Sequence, residues 1–124
     1  MKKLVLIPLL LVTCFCFAQD AKQIIGKPVK IDNILVAQND FPDQMEWEEA
    51  KRACRALGNG WRLPTKAELN ILYRNRRKIG GFSINAYWSS AVSNNYGWFQ
   101  YFGNGFQNFN IEGNTAFVRA VKSF

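Results

Sequence analysis

One twelve-residue stretch, residues 58–69, constrains the fold of this chain more than any other. Gly58 can adopt the left-handed backbone angles that end a helix, and Pro64 keeps the residue before it extended. Thr65 can then accept a hydrogen bond from the backbone N–H of Glu68, while the Glu68 carboxylate accepts one from Thr65, forming a capping box. The stretch therefore predicts a helix, a rigid corner and a second helix, and it contains no catalytic group.

The first eighteen residues have the pattern of a secretory leader. Two lysines precede an apolar run that ends at Phe17, and a small residue, Ala18, stands at the expected cleavage site. Such a run is too short to span a bilayer. We predict a signal peptide over residues 1–18 and a secreted chain (periplasmic, cell-surface or extracellular) without a transmembrane segment in its mature part. A lipoprotein leader at Cys14 is the alternative, although Thr13 fits a lipobox poorly.

Composition limits the chemistry of the mature chain, which we take as one domain over residues 19–124. The full sequence has 16 Lys and Arg, 9 Asp and Glu, a net charge of +7 and no histidine. Without histidine there is no Ser–His or Cys–His nucleophile pair, and the commonest metal ligand is missing. Cys54 is the one cysteine after the leader, so an internal disulfide is excluded.

The hydrophobic pattern predicts short strands, then two helices, then more strands, which is an α+β order. Apolar pieces at 24–25, 28–31 and 34–37 suit strands at a domain edge. The apolar stripe of the first helix is Trp47, Ala50, Cys54 and Leu57. Its cap is either Asp43 with Glu46 or a residue nearer Glu46. The second helix runs from Thr65 to about Ile79, and later strands are expected at 87–90, 98–102, 106–110 and 116–121.

The C-terminal hairpin carries the most detailed prediction. Asn104-Gly105 is the strongest short-range signal for a two-residue type I′ turn, which would pair Tyr101 with Asn108. One face then carries Phe99, Tyr101, Phe106, Asn108 and Asn110, and the other carries Trp98, Gln100, Phe102, Gln107, Phe109 and Ile111. We expect the second, more apolar face to lie in the core. A three-residue turn over 103–105 would instead slip the strand by one residue and mix the two faces.

Five sequence blocks, in matching order, resemble the Lcl C-terminal domain family, a family of unknown function with a C-type-lectin-like fold. The blocks are Met-Glu-Trp-Glu-Glu-Ala (45–50), Gly-Asn-Gly-Trp-Arg-Leu-Pro-Thr (58–65), Lys-Ile-Gly-Gly-Phe (78–82), Tyr-Trp-Ser-Ser (87–90) and Phe-Val-Arg-Ala-Val (117–121). The resemblance runs from about Ile34 to Phe124. Trp-Arg-Leu-Pro-Thr alone is less specific, because formylglycine-generating enzymes share it. Glu46 departs from the family pattern, which usually has Ser or Thr before the tryptophan.

The resemblance implies two helices packed on a small twisted antiparallel sheet with long loops, in which the N- and C-terminal strands meet. Its implied scaffold positions are Trp61, Trp88, Trp98 and Arg119. Members occur in secreted and surface proteins, including adhesins, and relatives use an exposed hairpin and a neighbouring loop for contact. The matching residues here are Asn94, Asn95 and Tyr96 in the loop and Phe99, Tyr101, Phe106, Asn108 and Asn110 on the hairpin. Aromatic rings beside amides suit such a surface and are also typical of ordinary turns.

Other functional interpretations are weaker. Cys54 lies on the apolar helical stripe, which favours an inert core cysteine. The motifs by which sugar-binding C-type lectins hold calcium are absent, and the acids lack calcium spacing, so we predict no metal and no cofactor. The basic run at residues 74–78 suits the end of a helix, and no nucleic-acid motif accompanies it. Arg119, on an apolar strand, needs a carboxylate or backbone carbonyl as a fixed partner.

The sequence thus predicts a secreted, non-enzymatic module that recognises an unidentified protein or glycan through the C-terminal hairpin and adjacent loop. Calcium-free glycan binding through Tyr and Asn is one form of this prediction. The alternative is a structural or assembly component of a cell-surface appendage or envelope complex. No catalytic residue and no nucleic-acid partner are expected.

Overall fold

Four helices and eight short strands make up the described part of this computed structural model, which covers residues 20–110 and 114–124. The helices are α1 (20–25), α2 (Trp47–Ala56), α3 (Lys66–Arg74) and α4 (Arg76–Ile79). The strands are β1 (Val29–Ile31), β2 (Ile34–Val36), β3 (Met45–Glu46), β4 (Ala86–Ser93), β5 (Tyr96–Tyr101), β6 (Gln107–Asn110), β7 (Thr115–Ala116) and β8 (Val121–Ser123). The α+β class is therefore confirmed. The predicted leader and Ile111 lie outside the described residues.

The helix α2 forms where the apolar stripe predicts it. It starts after Glu46, which has extended backbone angles and makes no side-chain cap hydrogen bond, so the later of the two possible starts is correct. Ala50 and Cys54 are buried along its inner side. Gly58 has φ +79°, and its N–H donates to the Arg55 carbonyl at 2.9 Å, which ends the helix as predicted.

The capping box at the start of α3 is confirmed. The Thr65 Oγ1 accepts from the Glu68 N–H at 3.1 Å, and the Glu68 Oε1 accepts from the Thr65 N–H at 2.9 Å. Arg62 adds two parallel hydrogen bonds to the Glu68 carboxylate, at 2.7 and 3.0 Å. The predicted continuous helix to Ile79 is wrong, because α3 and α4 are separated at Asn75, whose side chain donates back to the helix.

The corner between α2 and α3 holds both the C-terminal strand and β4. Arg62 and Val121 exchange backbone hydrogen bonds of 2.8 and 2.9 Å. The Ser90 N–H donates to the Pro64 carbonyl at 2.7 Å, and Leu63, between Arg62 and Pro64 in the sequence, is buried. The corner thus serves as a joint between the helices and two distant parts of the chain.

The strands form three antiparallel groups with the orders β1-β2-β8, β3-β7 and β4-β5-β6. Leu35 of β2 lies opposite Lys122 of β8, so the N- and C-terminal strands meet as the resemblance implied. The strand predicted at 24–25 is wrong. These residues end α1, because Gly26 at φ +53° closes the helix with a hydrogen bond to Lys22.

Two buried clusters lie on opposite faces of the β4-β5-β6 sheet. The α2 core contains Ala37, Phe41, Ala50, Cys54, Trp61, Leu63, Trp88, Phe99, Ala116, Val118 and Ala120. The α3 core contains Ile31, Ile34, Val36, Leu69, Leu72, Ile79, Tyr87, Phe102 and Val121. Because neighbouring strand residues point to opposite faces, Tyr87 enters the α3 core and Trp88 the α2 core. The prediction of one buried face is therefore wrong, since both faces are partly covered.

A buried ion pair joins the C-terminal segment to the loop after β2. Arg119 is 1% exposed, and its Nε donates to the Asp40 Oδ1 at 2.7 Å. Its terminal nitrogens donate to the carbonyls of Ala37 and Gly80 at 3.2 to 3.3 Å. The Tyr87 hydroxyl donates to the Asp40 Oδ2 at 2.5 Å. Arg119 therefore has both kinds of partner that the sequence required, a carboxylate and backbone carbonyls.

Burial changes the proton affinity of two groups in this network. Desolvation raises the pKa of Asp40, and the Arg119 charge and the hydrogen bonds from Tyr87 and Arg119 oppose that rise. Desolvation also raises the pKa of Tyr87, with the neighbouring Asp40 adding to the effect. Tyr87 therefore stays protonated and remains a donor, and the Asp40 carboxylate depends on Arg119 for its charge balance.

Replacing Arg119 by Met should destabilise the protein by about 3–5 kcal/mol, because Asp40 would remain buried without its partner. The double variant Arg119→Met/Asp40→Asn should recover part of this loss, since no unpaired carboxylate remains. Urea unfolding at pH 7, followed by tryptophan fluorescence, measures both. Lys51→Met is the control, because it removes an exposed pair with Glu48 and should cost less than about 1 kcal/mol. Equal losses for Arg119→Met and Lys51→Met would contradict the assignment.

The capping box makes stability depend on pH in a defined direction. Burial alone would raise the pKa of Glu68, but hydrogen bonds from Arg62 and Thr65 hold it below its usual 4.5. The stabilisation is therefore complete above pH 4.5 and is lost as the pH falls through the lower folded value. We expect wild type to exceed Glu68→Gln in stability at pH 7 and the difference to shrink below pH 4.5. Urea unfolding across pH 3 to 7 tests this, and a constant difference would contradict it.

Candidate functional site

The hairpin of β5 and β6 forms, but its register differs from the predicted one. Phe99 lies opposite Asn108, and the Tyr101 N–H donates to the Phe106 carbonyl at 2.8 Å. A four-residue loop, 102–105, therefore connects the two strands. The predicted two-residue turn and its pairing are wrong, and so is the three-residue alternative.

Packing against α3 explains the longer loop. Phe102 is buried in the α3 core, where its ring lies 4.5 Å from that of Tyr87 and meets the ring of Tyr73 in α3 edge-on at 5.6 Å. Gly105 has φ +82°, and a Cβ placed on it would lie only 2.9 Å from the Tyr73 ring. Both contacts hold the loop against the helix. The sequence had no signal for them besides the glycine, because they depend on where Tyr73 and Tyr87 lie in the fold.

The two-residue turn occurs between β4 and β5 instead. Asn94 and Asn95 have φ values of +50° and +68°, and Ser93 lies opposite Tyr96. Positive φ at both central residues is the mark of a type I′ turn, and asparagine tolerates this region better than most residues. The sequence interpretation placed these asparagines in a contact loop and noted that they are also typical of turns, and the structure has them in a turn.

A register shift of two residues leaves the faces of the hairpin unchanged, because side chains alternate with a period of two. Tyr101, Phe106 and Asn108 are exposed on one face, as predicted. Phe99 belongs to the same face but is only 6% exposed, because it lies opposite Trp88 and packs in the α2 core. The prediction that Phe99 presents its ring to solvent is therefore wrong.

Three rings form what we call the aromatic platform: Tyr101 and Phe106 at the surface, with Phe99 beneath them. Tyr101 and Phe106 are 41% and 51% exposed, and their rings stack with centroids 6.2 Å apart and planes inclined by 29°. Phe99 meets the Tyr101 ring edge-on at 5.2 Å. The platform thus combines an exposed apolar surface with a support that belongs to the core.

Two asparagines of β6 are engaged with the chain itself: Asn108, beside the platform, and Asn110, at the far end of the strand. The Asn108 Oδ1 accepts from the Phe109 N–H at 2.8 Å. The Asn110 Oδ1 accepts from the Asn114 Nδ2 at 2.7 Å. These bonds satisfy a backbone donor of β6 and the side-chain donor of Asn114, so the contact area that the platform offers is mainly aromatic.

The other predicted contact residues lie at the far end of β5. Tyr96 begins the strand that Tyr101 ends, so about 17 Å of strand separates the two residues. Their odd spacing also places their side chains on opposite faces. Asn110 lies opposite Gly97 and therefore belongs to the same end as the turn at 94–95. The predicted site residues consequently form two groups instead of one continuous surface.

The face of the hairpin turned toward α3 mixes aromatic and amide groups. The Lys66 Nζ lies 3.8 Å from the centroid of the half-buried Trp98 ring, and Phe109 meets that ring edge-on at 4.8 Å. Gln100 is buried, as predicted, and donates to Asn70 at 3.0 Å. Phe109 was expected in the core but is 37% exposed, so it provides a surface aromatic on the face opposite the platform.

The predicted burial of Cys54 is confirmed. The side chain is fully buried in the α2 core, and burial raises the pKa of its thiol to about 12. The thiolate is the reactive form of cysteine, so this residue is protonated and shielded at neutral pH.

The basic run at 74–78 lies at the end of α3 and in α4. The Arg76 guanidinium donates to the Tyr73 carbonyl at 2.9 Å and lies 4.2 Å from the centre of its ring. Arg76 thus has the role at a helix end that the sequence favoured.

Within residues 20–110 and 114–124, no three Cys, Asp or Glu side chains are placed to hold a metal ion. No helix of this part has the length and apolar character needed to cross a membrane.

Comparison with protein families agrees with the five sequence blocks. The family described as the Lcl C-terminal domain matches residues 21–122, which is most of the chain. The chain therefore belongs to the Lcl C-terminal domain family. A comparison with curated proteins finds no match.

We predict that Cys54 reacts with a thiol reagent only when the protein unfolds. At pH 8 the thiol is both buried and protonated, so native protein should show no labelling above a Cys54→Ala reference. In concentrated urea the wild type should gain one labelled thiol over that reference. Rapid labelling of Cys54 in the native protein, measured by absorbance of the released thiolate, would contradict the inert assignment.

Proposed function

We propose that this chain is a secreted, non-enzymatic recognition module with a C-type-lectin-like fold, which binds a protein or glycan through the aromatic platform. One observation carries the proposal: Tyr101 and Phe106 are exposed, stacked on each other and in ring contact with the buried Phe99. Exposed aromatic residues of this kind supply most of the binding free energy in many interfaces. The proposed contact surface is Tyr101, Phe106 and Asn108, with Asn94, Asn95 and Tyr96 as a separate loop.

Rigidity supports recognition at this position. Ordering a mobile side chain on binding costs about 0.5–1.5 kcal/mol, and a ring that is already fixed avoids much of that cost. The Gly105 N–H donates to the Tyr101 carbonyl at 2.8 Å, and the Phe102 N–H donates to the Asn85 carbonyl at 3.0 Å. The loop at 102–105, which lies between Tyr101 and Phe106, is therefore held by hydrogen bonds at both ends before any ligand arrives.

The topology supports the C-type-lectin-like part of the proposal. The paired terminal strands β2 and β8 and the two main helices α2 and α3 agree with the architecture that the resemblance implied. Arg119 and Trp88, two of the implied scaffold positions, are buried at the centre of the molecule. The leader pattern at residues 1–18 supports secretion.

The state of the ionisable groups supports a non-enzymatic role. The chain has no histidine, and Cys54 is buried and protonated. Asp40 and Glu68 are held in ion pairs with arginines at 2.7 Å, so neither is placed as a free acid or base. None of these groups lies on the aromatic platform.

The alternative function is a permanent subunit contact in a cell-surface assembly, and the edge strand β6 favours it. This strand is the outer member of its sheet, and such edges can pair with another chain. The hydrogen bond from the Phe109 N–H to Asn108 makes β6 less able to pair with another strand, because it uses a backbone donor that a new strand would need. That contact makes recognition by the platform the stronger proposal.

Binding screens with matched variants test the proposal. The purified protein is applied to arrays of glycans and bacterial surface proteins, with and without calcium. We expect binding without calcium, and a loss of roughly tenfold or more in affinity for Tyr101→Ala and Phe106→Ala. Phe109→Ala is the matched control, because it removes an aromatic ring of similar exposure from the opposite face.

Several outcomes would count against this function. Equal losses for Phe109→Ala and Tyr101→Ala would show that the platform is not the contact surface. A strict calcium requirement would contradict recognition without a metal. If the Tyr101→Ala variant still binds the ligand but no longer enters a native surface complex, the assembly role is favoured. Circular dichroism of each variant confirms that the fold is intact.

A further inference from the structure

A cavity of about 600 Å³ lies between α1, α2 and the loop that follows β2. None of the residues of the aromatic platform lines it. Ligand pockets in proteins usually measure about 300–1,000 Å³, so this volume suits a small molecule. The cavity is therefore a second candidate site, distinct from the platform.

Short side chains on the two helices create this space. Ala21 of α1 and Ala53 and Ala56 of α2 all line the cavity. A larger aliphatic residue at any of these positions would extend into the gap between the helices. The apolar remainder of the lining includes Phe41 and Leu57.

The position of α1 is fixed by hydrogen bonds to the loop. The Gln38 N–H donates to the Ile25 carbonyl at 2.9 Å, and the Asn39 Nδ2 donates to the Gln23 carbonyl at 2.8 Å. One wall of the cavity is thus attached to the other by backbone and side-chain contacts. The gap is a defined feature of the fold.

The charge of the lining is opposite to the charge of the protein. The chain has a net charge of +7 and only 9 acidic residues. Four of these acids, Asp20, Asp40, Asp43 and Glu49, line the cavity. No basic residue occurs among its lining residues in the described part of the chain. The cavity therefore concentrates negative charge in an otherwise basic molecule.

The four acids differ in whether a basic side chain pairs with them. Asp40 is paired with Arg119, as described above. In residues 20–110 and 114–124, no ion pair involves Asp20, Asp43 or Glu49, and all three are exposed at the rim. Carboxylates above apolar walls of low dielectric attract cations more strongly than the same groups do in open water.

We propose that this cavity binds a free organic cation, in which an ammonium or guanidinium group is attached to an apolar body. The apolar body would pack against Phe41, Leu57 and the alanines. The cationic group would lie at the rim beside Glu49 and Asp43. This site is independent of the proposed platform, so each can fail without the other.

Calorimetric titration with n-octylammonium chloride tests the site. Octanoate has the same chain with the opposite charge, and ethylammonium has the same charge without the chain. We expect saturable binding of one octylammonium per protein, at least tenfold tighter than either comparison compound. A Tyr101→Ala variant should bind octylammonium unchanged.

Two pairs of variants locate the binding. Glu49→Gln should weaken octylammonium binding about fivefold, whereas Glu48→Gln, its neighbour outside the cavity, should leave it unchanged. Ala53→Leu should weaken binding, because its three added carbons take up part of the apolar wall, and Ala56→Leu provides a second filling variant if the first does not fold. Absence of binding, equal affinity for octanoate, or binding unaffected by a folded filling variant would overturn the proposal.

Discussion

The buried ion pair between Arg119 and Asp40 is the contact on which the rest of the arrangement depends. Removing each charge from water costs several kcal/mol, and attraction offsets this only when the remaining hydrogen bonds are also satisfied. Arg119 meets that condition through the carbonyls of Ala37 and Gly80 and the face of the Phe82 ring, 4.0 Å away. These partners come from the loop after β2, the end of α4 and the segment before β4. One side chain thus holds three separate parts of the chain against the C-terminal segment.

The same arrangement determines which part of the hairpin remains exposed. A Cβ on Gly97 would lie 2.6 Å from the Trp47 ring and 2.8 Å from that of Trp88, so glycine allows both tryptophans to pack against β5. That packing covers the Gly97 end of the face and the ring of Phe99, whereas Tyr101 at the other end stays exposed. The aromatic platform therefore lies where the α2 core reaches solvent. Its support is the same packing that stabilises the fold.

Local physical chemistry explains what the sequence could predict. The capping box at Thr65, the burial of Cys54 and the need of Arg119 for a fixed partner all follow from groups a few residues apart or from one side chain's chemistry. The register of the hairpin does not follow from such local chemistry. Burial of Phe102 against a distant helix outweighs the turn preference of Asn104-Gly105. The burial of Phe99 likewise requires knowing that Trp88 and α2 cover its face. The predicted exposure of Phe99 and the predicted burial of Phe109 were wrong because tertiary contacts decided both.

The two candidate surfaces favour partners of different chemistry. The aromatic platform has no charged member, so its binding would depend on apolar contact area and ring geometry, which dissolved salt screens little. The cavity combines an apolar floor with the carboxylates of Asp20, Asp43 and Glu49, which form no ion pair within the described part of the chain, in a molecule of net charge +7. At long range the net charge repels a cation, whereas at the rim the carboxylates attract it, and both effects weaken at high ionic strength. A cation without an apolar part gains only the attraction to the carboxylates at the rim. An apolar cation also gains from burial of its body, which is why the cavity should select for that class.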